Sequence, residues 1–144
     1  MKRRITTIII ALSCLVLNAQ YNKSIKIEPV LKTDTTSLGQ KIIYPQFNDN
    51  QVTILKITMP PGKSTGWHKH LIPVFAYVLE GTITVEFENK KSIVYLKNST
   101  ISESFNTYHN GVNRGNEDVV LLAFYMGEKG KPLSVPMDSL KLTK

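Results

Sequence analysis

Three histidines are all that this chain of 144 residues contains, and they lie within 42 positions of one another: His68, His70 and His109. Neutral imidazole is the commonest protein ligand for late first-row metals, so a histidine cluster points first to a metal centre. The local sequence is Gly62-Lys63-Ser64-Thr65-Gly66-Trp67-His68-Lys69-His70. On extended backbone, residues i and i+2 project from one face with Cα atoms roughly 6.5–7 Å apart. On a helix the same pair would point to nearly opposite sides. Pro60, Pro61 and Gly62 before the pair and Pro73 after it exclude a helix. His68-Lys69-His70 therefore reads as a strand motif that aims two imidazoles one way, and His109 is the histidine left to meet them from another strand. The chemistry would be that of a divalent transition metal held by histidines, with iron, zinc, nickel and copper all suited to imidazole donors.

The elements that must position these residues are strands. Val52–Met59 is rich in β-branched residues, and Val74–Leu79 follows the histidine pair. Gly81 closes a tight turn into Thr82–Glu88, where Ile83, Val85 and Phe87 share one face. Asn89-Lys90-Lys91 turns the chain into Ile93–Leu96, Asn98-Ser99 turns it toward Ile101 and His109, and Val119–Tyr125 is the last clear strand. Ile25–Glu28 and Lys41–Tyr44 also read as strands, each ended by a proline. No segment keeps a 3.6-residue apolar period. Short strands every 8–12 residues read as an all-β sandwich or barrel.

The histidine region resembles the two conserved motifs of the cupin superfamily. In the first, Gly, five residues, His-x-His, three or four residues, Glu, six residues and Gly follow one another. Gly62, His68, His70 and Gly81 fall into place, and Val74 stands where the glutamate ligand belongs. The second motif ends in His, three residues, Asn, which His109 and Asn113 match. Its opening Gly is Asn98, its Pro is Ser104 and its inner Gly is Asn106. The resemblance implies a single-domain, jelly-roll type cupin β-barrel over residues 40–126, flanked by an N-terminal arm (20–39) and a C-terminal tail (127–144). It implies a metal held by His68, His70 and His109, without the common glutamate. It implies a small-molecule ligand or substrate, acted on by a dioxygenase- or lyase-type enzyme or bound by a non-catalytic module. It also implies a homodimer, since members of the family often pair through N-terminal strands.

Two answers remain open for the missing glutamate. Water would leave an open three-histidine site. Glu103 would supply a carboxylate, because in an extended segment Glu103, Phe105, Thr107 and His109 share one parity; it reads equally as a solvent carboxylate. Tyr77 and Trp67 are aromatic residues near the site that would line a pocket or pack in the barrel.

The first 19 residues read as a secretory signal peptide. Met1-Lys2-Arg3-Arg4 is basic, Ile5–Leu17 is almost wholly apolar, and Ala19 offers a small residue for cleavage. The apolar run is too short for a convincing membrane span. A lipoprotein reading of Cys14 is weaker, because Ala11-Leu12-Ser13 is a poor lipobox. Cleavage after Ala19 removes Cys14, the one cysteine, so the exported protein would be periplasmic or secreted and stand on packing alone. It also removes three of the basic residues behind the formal charge of +7. The remaining lysines are scattered, which argues against nucleic acid as a partner. With Cys14 removed no cysteine remains for thiol catalysis, and a Gly-x-Ser-x-Gly elbow and a phosphate loop are missing from the sequence.

Overall fold

The computed structural model describes residues 24–138. The expected signal peptide lies outside them. Nine strands follow in order, and no helix occurs among the described residues. They are β1 (Asn50–Met59), β2 (His68–Lys69), β3 (Val74–Glu80), β4 (Thr82–Phe87), β5 (Ser92–Leu96), β6 (Thr100–Ser102), β7 (His109–Val112), β8 (Val119–Glu128) and β9 (Val135–Pro136). One sheet has the order β1-β8-β3-β6 and the other β5-β4-β7-β2-β9, with every pairing antiparallel.

The pleat sorts the side chains. In β3, Val74, Ala76 and Val78 are buried while Phe75, Tyr77 and Leu79 are only partly so. In β8, Val119, Leu121, Ala123 and Tyr125 do the same. From the other sheet, Ile83, Val85 and Phe87 of β4 join them in one core. A period of two on each strand thus builds the two facing layers of a jelly roll.

Several turns use left-handed backbone, four of them at positions of the two motifs. Gly62 and Gly81 have φ of +72° and +73°, and Asn98 and Asn106 have φ of +68° and +48°. Asparagine is among the few residues with a side chain that enter this region readily. The two asparagines stand where the second cupin motif has glycine, so the turns survive the substitutions.

Two expectations change. Ile25–Glu28 and Lys41–Tyr44 form no strand, although Lys41 makes an isolated bridge to Thr35. Their alternating isoleucines have no sheet to face: Ile25, Ile27 and Ile43 are all exposed. The C-terminal segment takes part in the sheets. β8 extends to Glu128, and β9 pairs with the histidine strand, His68 opposite Pro136 and Lys69 opposite Val135. Gln40, the residue that follows the arm, is anchored to the barrel: it accepts from Phe105 N at 2.9 Å and donates to Phe105 O at 2.9 Å and to Thr107 Oγ1 at 3.2 Å.

Candidate metal centre

Each histidine arrives from a different backbone setting. His68 sits in β2, directly opposite His109 of β7. His70 follows two residues on, held by an isolated bridge to Phe105 and by Asn106 N donating to His70 O at 2.8 Å. The i, i+2 spacing does what extended backbone dictates. The His68 and His70 rings lie 4.9 Å apart, and His109 stands 4.5 Å and 5.1 Å from them. One nitrogen from each ring lies within 4.8 Å of the others.

The opposite edge of each ring fixes its tautomer. His68 Nδ1 faces Gly66 O at 2.8 Å, His70 Nδ1 faces Leu133 O at 2.8 Å, and His109 Nδ1 faces Thr107 O at 3.0 Å. A carbonyl oxygen only accepts, so each Nδ1 carries the proton and donates it. Each Nε2 is then a lone pair. His109 also has Ser104 Oγ at 3.2 Å from Nδ1, the longer of its two contacts. This outer layer of carbonyls orients imidazoles as metal sites do.

Burial keeps the rings neutral. It lowers all three imidazoles below their ordinary range, with the backbone bonds only partly opposing it, and holds His70 down to about 3. Ligation needs neutral imidazole, so the cluster is ready to bind across the neutral range.

The three rings line a cavity of about 40 Å³ together with Ile57, Thr65, Val74, Ile83, Glu103 and Tyr125, among others. Its walls are mainly aliphatic. Gly111 lies at the lining, where an added Cβ would stand 3.0 Å from Ile83 Cδ1.

Glu103 lies in the site and not in solvent. Its Oε2 is 3.3 Å from His109 Nε2, and its side chain is 15% exposed. Burial pushes its carboxyl up to about 7, an effect that His68 partly opposes. The distance satisfies an ion pair, but His109 Nε2 has no hydrogen-bond partner. The alignment is therefore not that of a donor meeting an acceptor. A buried nitrogen lone pair without a partner, among three convergent imidazoles, fits a metal ion.

Tyr77 and Trp67 do not line this cavity. Tyr77 points outward from β3, its hydroxyl 3.3 Å from Asn98 Oδ1, because it has the opposite parity to Val74, Ala76 and Val78. Trp67 lines a separate surface cleft with Glu86, Phe87 and Glu88. Its neighbour His68 faces in, so Trp67 must face out. The aromatic residue that does reach the site is Tyr125, whose ring is 5.7 Å from that of His70. It shares the inward parity of β8 with Leu121 and Ala123, a signal present in the sequence once His70 is placed beside that strand. The Leu133 carbonyl and the Gln40 amide left no such signal.

A family model described as the cupin domain matches residues 55–125. No curated protein matches the sequence significantly. Among solved structures, the chain is similar to a cupin-like protein from Thermotoga maritima, with 17% identity and a TM-score of 0.55 over 60% of this chain and 64% of that one. It is similar to a DMSP lyase from Ruegeria pomeroyi, with 14% identity and a TM-score of 0.52 over 60% and 43%. A predicted oxalate decarboxylase from Thermotoga maritima is 27% identical, with a TM-score of 0.47 over 51% and 64%. The chain spans less than two thirds of the length of each of these proteins. The histidine pair, the third histidine opposite it, the two-sheet jelly roll and the family match agree, and the chain belongs to the cupin superfamily.

Proposed function

We propose that the protein is a small exported cupin that holds one divalent transition metal through His68, His70 and His109 and uses it on a small molecule. The observation that carries this reading is the convergence of three Nε2 lone pairs, each ring fixed by a carbonyl at Nδ1. A bound divalent ion would supply Lewis acidity, a lowered pKa for bound water or, for a redox-active metal, electron transfer. The chain's own residues do the rest. Gly66, Thr107 and Leu133 orient the rings. Ile57, Ile83, Val85 and Leu121 keep bulk water from the site. A dioxygenase- or lyase-type reaction suits such a centre.

A non-catalytic module is the second reading, favoured by the size of the cavity. About 40 Å³ holds few waters, so a sizeable substrate has no room beside the metal without rearrangement. Binding of a metal or a small ligand requires none.

Export rests on the basic and apolar pattern of residues 1–19, with the periplasm or the medium as destination. A mature protein whose mass begins at Gln20 tests it. Homodimerisation rests on the cupin resemblance and on exposed apolar residues: Ile25, Ile27, Val30 and Leu31 in the arm and Val52 and Ile54 on β1 at the sheet edge. A second copy would cover these faces. A monomer mass by solution scattering would contradict it.

The deciding measurement is metal content by mass spectrometry on residues 20–144 without a histidine tag, beside His68→Ala. Near-stoichiometric metal, lost in the variant, is expected. No metal in either protein, even after metals are added back, would refute the reading. With metal present, substrate turnover separates the enzyme from the binding module, which predicts thermal stabilisation by ligand alone.

A further inference from the structure

We propose that Glu103 is a fourth protein ligand to the metal, delivered from the strand beside the one in which Val74 occupies the usual glutamate position. The proposal rests on the three-histidine reading and adds a residue and a route to it.

In the β3–β6 pair Phe75 lies opposite Ser102. One rung further, Glu103 N donates to Val74 O at 2.9 Å. Glu103 is therefore the cross-strand neighbour of Val74. Residues directly opposite on an antiparallel pair project to the same face. Val74 faces the interior, so Glu103 does too, and both line the cavity that holds the histidines. The carboxylate missing from β3 is present one strand away.

His109 donates through Nδ1 to Thr107 O, so its Nε2 presents a lone pair. Oε2 of Glu103 lies 3.3 Å away, and that Nε2 has no hydrogen bond. A ring lone pair and a carboxyl oxygen face each other without the alignment of a hydrogen bond. A cation that both can reach gives each of them a partner. Donor atoms about 2.1 Å from one ion stand roughly 3.0–3.4 Å apart in octahedral or tetrahedral sites. The gap has the width of one edge of such a polyhedron.

Among the described residues, no hydroxyl, amide, lysine or arginine bonds the Glu103 carboxyl, and the neutral His109 ring lies 3.3 Å from it. A carboxyl so enclosed either takes up a proton or meets a positive charge, and a metal ion supplies the second. With a divalent ion bound, one carboxylate leaves the centre a single net positive charge.

The test loads chelator-treated protein with Co²⁺ and reads both affinity, by competition with a chelator of known strength, and the visible absorption of the bound ion. Wild type, Glu103→Gln, His68→Ala and the relocation variant Val74→Glu/Glu103→Val are compared, with circular dichroism to confirm that each is folded. Glu103→Gln is expected to weaken Co²⁺ binding by at least about 100-fold, beyond the 10–100-fold typical of an outer partner, and to shift the absorption bands. The relocation variant is expected to recover most of the affinity. Unchanged affinity and spectrum in Glu103→Gln, with binding lost in His68→Ala, would overturn the proposal and leave the three-histidine site standing. Wild type that binds no Co²⁺ would overturn both.

Discussion

Asn113 offers the sharpest test of how this fold holds its site. It is 1% exposed, and its side chain makes three hydrogen bonds. Nδ2 donates to Met59 O and to Glu117 O, each at 2.8 Å, and Oδ1 accepts from Gly115 N at 3.0 Å. Its backbone is tied as well: Gly62 N donates to Asn113 O at 3.0 Å, and Asn113 N donates to Lys63 O at 2.9 Å. One residue thus joins the end of β1, the Pro60–Lys63 turn that leads to His68, and the strand that carries His109.

Replacing it with alanine removes three bonds worth about 1 kcal/mol each. The Met59 carbonyl is left in a buried position, which adds about 1–2 kcal/mol, whereas Glu117 and Gly115 lie nearer the surface and can turn to water. The expected loss is about 4–5 kcal/mol, a large part of the stability of a domain this size. Asn113→Asp separates this account from a cavity effect. It keeps the volume and turns both donors into an oxygen aimed at two carbonyls, so it too should lose at least about 3 kcal/mol. Urea titration followed by circular dichroism measures both, provided the slope is unchanged. A loss below about 1 kcal/mol for Asn113→Ala, or an Asn113→Asp variant as stable as wild type, would refute the reasoning.

Two more outcomes follow from the same geometry. At Gly81, φ is +73° and an added Cβ would stand 2.5 Å from Asp118 O, so Gly81→Ala should cost at least about 2–3 kcal/mol; a melting temperature within 2 °C of wild type, on the order of the shift for a few tenths of a kcal/mol, would contradict this. In the metal-free protein burial holds His70 down to about 3, while the unfolded chain takes up the same proton near 6.5. Between those values the unfolded state binds more protons, so stability falls as pH drops below about 6.5. Glu103, pushed up to about 7, acts in the opposite sense above about pH 4.5, and the melts are therefore run in Glu103→Gln. A melting temperature flat from pH 6.5 to 4 in that background would refute the assignment.

What the sequence made legible follows strand logic. The His68–His70 pair, the alternation of Ile83, Val85 and Phe87, and the turns at Gly62 and Gly81 all depend on spacing within one segment, and each is found where spacing puts it. The second motif reads as degraded by letters, yet Asn98 and Asn106 keep the left-handed backbone that its glycines would supply. Conformation was preserved where residue type was not. By contrast, the Leu133 carbonyl that orients His70 depends on a main-chain atom 63 residues away, and no residue type announces it. The arm failed in the other direction: Ile25 and Ile27 alternate like a strand, but alternation creates a strand only where another edge accepts it.

Glu103 shows where parity reasoning stops. Counting by twos from Glu103 to His109 puts both on one face, and both do reach the cavity. The count is not the cause. The left-handed turn at Asn106 breaks the extended backbone between them, and Gln40 clamps Phe105 on both its N–H and its carbonyl. Glu103 faces inward because it is paired with Val74 across the sheet, and His109 because it is paired with Phe87. A motif is written along one strand, but a binding site is assembled across several. A carboxylate can therefore leave its motif position and remain in the site, provided it reappears at the rung opposite. Val74 and Glu103 stand in that relation, so under the proposed four-ligand site a carboxylate serves the centre although position 74 is valine.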